Sequence, residues 1–111
     1  MQILLEELDQ LMLVRLTGRL NAESSPEVKI VLHQLIETGH SNIMIDLHQV
    51  PFIDSSGLAS LVSGLRLARE KAGNVTLCCI QSQAQTVFRL TMLDRIFTIY
   101  PNLDDAKKHL S

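Results

Sequence analysis

From Leu11 to the C-terminus, short apolar runs alternate with stretches whose apolar residues recur at helical spacing, and this alternation demands a mostly parallel sheet with crossover helices. Val28, Val31, Leu32, Leu35 and Ile36 form a first helical stripe, with Ser24, Ser25 and Pro26 supplying an N-cap and an early helical proline, and Gly39 a stop. A second stripe holds Leu58, Leu61, Val62, Leu65 and Ala68 and runs out at the turn of residues 71–74. Val87, Leu90 and Leu93 predict a short third helix. Leu103, Ala106, Lys107 and Leu110 predict a closing helix begun near Asn102. The apolar runs at 43–47, 75–80 and 96–100 read as strands, the last broken by Pro101.

Before this alternation, the runs at 3–5 and 11–16 flank a polar break at Asp9 and Gln10, the pattern of a β-hairpin, and Gly18 and Asn21 mark the turn that follows. The expected order is β-β-α-β-α-β-α-β-α, a mixed but mostly parallel sheet of about five strands with four helices, right-handed crossovers and one antiparallel strand. With 111 residues there is room for one core, so residues 1–111 are read as one domain. The chain is 46% hydrophobic and 20% charged, which suits a packed α/β globule rather than a disordered chain.

Ten Lys and Arg against twelve Asp and Glu give a formal charge of −2, which offers no broad basic field for nucleic-acid phosphates. The first residues lack the basic start and apolar core of an export signal, and no run approaches the roughly 18 apolar residues of a membrane span. The expectation is a chain neither exported nor inserted in a membrane. Cys78 and Cys79 are adjacent inside an apolar run, where free thiols are usually buried, and they cannot form an ordinary disulfide with each other without strain. They read as packing residues in a protein of the reducing cytoplasm.

One segment carries chemistry. Asp54-Ser55-Ser56-Gly57 lies between a strand and the second helical stripe, where backbone N–H groups and the helix dipole favour negative charge. A phosphate there would add roughly −1.5 to −2 charges while leaving the fold intact. On the residues alone the plainer reading is a helix cap followed by a turn glycine, and local charge and cap geometry admit modification of either serine.

The chain from about Leu11 onward resembles the anti-sigma factor antagonists, the bacterial members of the STAS domain family. The resemblance is carried by Arg15-Leu16-Thr17-Gly18-Arg19-Leu20, by Met44-Ile45-Asp46-Leu47 and most specifically by Val50-Pro51-Phe52-Ile53-Asp54-Ser55-Ser56-Gly57-Leu58. It implies a single STAS-like domain and a partner-switching cycle with no enzymatic activity. In that cycle the unphosphorylated protein binds an anti-sigma factor that is also a serine kinase of the GHKL type. Phosphorylation of the serine after the aspartate, here Ser55, releases it, and a PP2C-like phosphatase restores the free form. Asp54, Ser56 and Gly57 then support the switch loop. The family often has a Gly-Glu-Leu-Asp run where this chain has Gly18-Arg19-Leu20-Asn21, so the charge at the partner-facing surface differs. Other members of the family imply alternatives: a constitutive subunit of a signalling scaffold or membrane-transport complex, or a nucleotide-binding module at the same helix start.

Other chemistries find little support. His33, His40, His48 and His109 show no metal-ligand spacing and read as solvated. The chain has no P-loop and no Gly-x-Ser-x-Gly nucleophile elbow, and no cofactor is called for. Arg66, Arg69, Glu70 and Lys71 read as a solvated helix face or as a docking rim, and Met12, Met44 and Met92 as core filler.

Overall fold

The computed structural model describes residues 1–110. Five strands, β1 (Gln2–Leu8), β2 (Leu11–Thr17), β3 (Asn42–Gln49), β4 (Asn74–Cys78) and β5 (Ile99–Tyr100), form one sheet in the spatial order β1-β2-β3-β4-β5. Only β1 and β2 are antiparallel, joined at the Asp9–Gln10 turn, and the remaining pairs are parallel. Helices α1 (Ser25–Glu37), α2 (Ser55–Glu70) and α3 (Ser82–Leu90) cross between the parallel strands, and α4 (Leu103–Leu110) closes the chain.

Successive crossovers of one hand that advance in one direction must lay their helices on one face of the sheet. The core follows that rule. Val14, Leu16, Ile43, Ile45, Val75 and Leu77 point to the face covered by α1, α2 and α3, meeting Leu32, Leu61, Leu65 and Phe88. The other face, with Leu13, Met44 and Cys78, is covered by Leu103 and Ala106 of α4 and has a much smaller core.

Helix ends follow their chemistry, with some shifts of role. Gly39, at φ +100°, ends α1 in a Schellman motif: its N–H donates to Ile36 O, and His40 N–H donates to Leu35 O. Ser24 precedes α1 but does not cap it through its side chain. Instead its Oγ donates to Arg19 O at 2.7 Å, while Asn21 Oδ1 accepts from the N–H groups of Glu23 and Ser24. A short polar side chain can satisfy loop backbone as readily as helix backbone, and here the tighter demand is the turn.

Four expectations fail in the last third. The strand expected at 75–80 stops at Cys78, because Cys79 adopts φ +68°, a left-handed conformation that ends the pleat. The third helix buries Ala84 and Phe88 rather than Leu90, which is 76% exposed. Phe88 stacks edge-to-face on Phe97 at 5.9 Å, and one aromatic anchor outweighs the leucine stripe. The strand expected at 96–100 shrinks to Ile99–Tyr100, because residues Leu93–Arg95 form a 3-10 turn that Phe97 follows into the core. Met92, at φ +61° and largely exposed, is not core filler, whereas Met12 and Met44 are buried.

Candidate functional site

Asp54, Ser55, Ser56 and Gly57 stand together at the start of α2, and each has a distinct position. Asp54 is the N-cap in extended conformation, and its Oδ1 accepts from Gly57 N–H at 2.9 Å. Ser55, the first helical residue, is exposed and its hydroxyl has no hydrogen-bond partner among the described residues, whereas Ser56 is half-buried. Gly57 is buried, and a Cβ there would collide with Leu20 O, so its role is close approach to another loop rather than a special φ.

That second loop fixes the site from below. Parallel pairing of β2 and β3 continues past their ends: Gly18 N–H donates to Gln49 O, Leu20 N–H to Phe52 O and Asp54 N–H to Leu20 O, with Leu20 bridged to Ile53. Leu20 and Ile53 are both buried, so the loop that presents Ser55 is anchored by apolar burial as well as by hydrogen bonds. Gln83 of α3 adds a clamp from the other side, its Oε1 accepting from Ile53 N–H at 2.9 Å and its Nε2 donating to Ile53 O at 3.0 Å. The Arg19 guanidinium lies 4.2 Å from the centre of the Phe52 ring, which holds a positive charge beside the loop. Of these partners, sequence reading singled out only Gly57 and the charge change at Arg19. Leu20 and Gln83 act through tertiary contacts with backbone, which leave no local pattern.

A groove of about 550 Å³ starts at Ser55 and follows the outer side of α2, lined by Leu58, Ala59, Val62 and Arg66, with His33 and Leu93 on its walls. His33 is not simply solvated: its Nε2 lies 2.8 Å from Ser63 Oγ and links α1 to α2. The sheet order has no reversal, so the strand ends lack the crevice between diverging helices in which open α/β sheets seat small ligands. What remains around Ser55 is an open, partly apolar surface with a charged border.

No described helix is long and apolar enough to cross a membrane. Cys78 is buried and Cys79 half-buried, with both thiols free, and burial pushes both up from the ordinary thiol range.

Residues 2–106 match the STAS domain family. An anti-sigma F factor antagonist of Paenibacillus polymyxa is 27% identical over 111 residues, which span 99% of this chain and 95% of that protein. Among solved structures, an anti-sigma factor antagonist from Mycobacterium paratuberculosis superposes with a TM-score of 0.88 at 25% identity, covering 97% of this chain and 92% of the other. SpoIIAA of Bacillus, a cell fate determinant solved in its phosphorylated form, superposes with a TM-score of 0.79 at 20% identity, covering 99% of this chain and all of the other (100%). At that identity the likeness to SpoIIAA is one of fold.

Proposed function

The chain belongs to the STAS domain family, and from that premise we propose that it is an anti-sigma factor antagonist whose affinity for its partner is switched by phosphorylation of Ser55. The observation that carries the proposal is the contrast at the start of α2. Ser55 is exposed with an unengaged hydroxyl, while its neighbours Asp54 and Gly57 are tied to the helix cap and to Leu20. A kinase can reach Ser55 without unfolding anything. Ser56, half-buried one step further into the helix, is the poorer substrate.

In this reading the unphosphorylated surface around Ser55 and the groove along α2 dock an anti-sigma factor that is itself a serine kinase of the GHKL type. Phosphate adds roughly −1.5 to −2 charges at the centre of that surface. A charge desolvated in an interface without a partner costs several kcal/mol, and each ~1.4 kcal/mol is about tenfold in affinity, so the modified form dissociates. A PP2C-like phosphatase resets the switch. The protein itself catalyses nothing: it presents a hydroxyl and a surface.

The test is intact-mass and peptide mass spectrometry of the protein recovered from its native cells, together with Ser55→Ala and Ser56→Ala variants. A phosphate that disappears only in Ser55→Ala is the expected result. Absence of phosphate from both serines under every growth condition would overturn the switch and leave a constitutive subunit of a larger assembly.

A further inference from the structure

Successive side chains of a strand point to opposite faces, so Cys78 and Cys79 should be separated by the sheet. They are not. Cys79 takes the left-handed conformation, and its side chain joins Cys78 on the smaller core under α4, which brings the two sulfurs into contact. Asp46 is the β3 residue paired with Cys78 in the parallel register. A carboxylate oxygen of Asp46 and both sulfurs lie within 4.8 Å of one another. The carboxylate is already oriented, since Oδ1 accepts from His48 N–H at 2.9 Å and Oδ2 lies 3.8 Å from Arg15 Nε. A non-glycine residue held at positive φ so that two thiols converge beside a carboxylate is more than packing requires.

We propose that Cys78, Cys79 and Asp46 form a binding site for one thiophilic divalent cation of the zinc–cadmium class. Two sulfur donors and one carboxylate are a ligand set for such an ion, with bonds of about 2.3 Å to sulfur and about 2.0–2.2 Å to oxygen. Around a tetrahedral centre these lengths place the ligand atoms roughly 3.3–3.8 Å apart. Rotation of the half-buried Cys79 side chain is the freedom by which the sulfurs take up that spacing. Charge balances as well: the three negative charges of two thiolates and Asp46 meet the two positive charges of the cation and the one of Arg15. Each sulfur binds as the thiolate, so the cation displaces a thiol proton as each bond forms. The partial exposure of Cys79 provides the entry path and leaves a fourth coordination position for water.

The experiment titrates the full-length, fully reduced protein with Cd²⁺ and with Zn²⁺. The readouts are the sulfur-to-metal charge-transfer absorption of the Cd²⁺ form and native mass spectrometry of both forms. One ion per chain is expected, with the absorption band present. In Cys79→Ser the affinity should fall at least tenfold, and in Asp46→Asn by a smaller factor. The wild-type titration stands without any variant, because absence of both the band and a one-to-one complex would overturn the site. A one-to-one complex unchanged in a folded Cys79→Ser protein would overturn it equally, placing the ion on surface histidines. Cys79 is chosen over the fully buried Cys78 because its substitution leaves the core intact, which far-ultraviolet circular dichroism verifies.

Discussion

Gln83 holds Ile53 by both ends of its side-chain amide, accepting from the Ile53 N–H at 2.9 Å and donating to the Ile53 carbonyl at 3.0 Å. Ile53 immediately precedes the Asp54 cap, so α3 reaches across 30 residues of chain to fix the segment that presents Ser55. Replacing Gln83 by Ala strands a buried donor and acceptor, at a cost of roughly 1–3 kcal/mol. Denaturant unfolding should register that loss, and amide exchange at residues 52–55 should accelerate more than exchange in β2 or β3. Equal protection of the loop in both proteins would mean that the Leu20 contacts alone hold it.

Gly57 makes the complementary contact. A methyl group at this position would overlap Leu20 O and sit 2.7 Å from Leu20 Cγ, and neither backbone nor buried leucine can move freely. Gly57→Ala should therefore destabilise by about 1–3 kcal/mol although alanine is the better helix former, the overpacking term exceeding the propensity gain of ~1 kcal/mol. A thermal melt with raised rather than lowered midpoint would show that α2 can pull away from Leu20 at little cost.

Much of this arrangement was legible in the residues, and the reason is periodicity. The hairpin, both long helices, β3 and the cap at Asp54 each follow from a local pattern with a single sterically acceptable outcome. Legibility falls off after Ile80. There α3, the 3-10 turn and β5 are short, and their placement is decided by Phe88 meeting Phe97 across the core. Leu90 satisfied the helical stripe on paper yet lies exposed, because a nine-residue helix offers one buried turn and the aromatic ring took it. The site shows the same division. Asp54, Ser55 and Gly57 were readable as a cap motif, whereas Gln83 and Leu20 act on backbone atoms far away in sequence.

The turn after α2 contains a correctable local conflict. The left-handed position of its Schellman motif is filled by Ala72, at φ +61°, while the glycine follows one residue later. Gly73 cannot be exchanged for it, because a Cβ there would overlap Ser41 O. The left-handed conformation costs a non-glycine residue about 1–2 kcal/mol, and glycine returns about 0.4–1 kcal/mol of that through its freer unfolded chain. Ala72→Gly should thus stabilise by ~0.5–1 kcal/mol in equilibrium unfolding. A loss of stability would show that Ala72 relaxes out of this conformation in solution.

If Ser55 is the switch, partner affinity should respond to charge at that atom rather than to its size. Ser55→Ala should retain binding to the anti-sigma partner, and Ser55→Asp should weaken it by about tenfold or more, since ~1.4 kcal/mol of uncompensated interfacial charge suffices. Calorimetric titration of both variants against the captured partner decides the matter. Equal affinities would mean that Ser55 lies outside the interface.

Asp54 links the stability of α2 to the state of Ser55, and the two effects can be separated. An asparagine at this position keeps an oxygen for the Gly57 N–H, so Asp54→Asn should change stability by only a few tenths of a kcal/mol, whereas Asp54→Ala should lose ~1 kcal/mol with the cap. The carboxylate matters in a different way once Ser55 carries negative charge, because like charges on adjacent residues at one helix end repel. Ser55→Asp should therefore destabilise the wild-type background more than the Asp54→Asn background. At this partly exposed site the difference is a few tenths of a kcal/mol to ~1 kcal/mol, shrinking as salt rises. A double-mutant cycle in denaturant isolates the coupling from the cap. Coupling of zero or of the opposite sign at low salt would mean that the two charges do not repel across the cap, and that phosphorylation does not load the switch loop through Asp54.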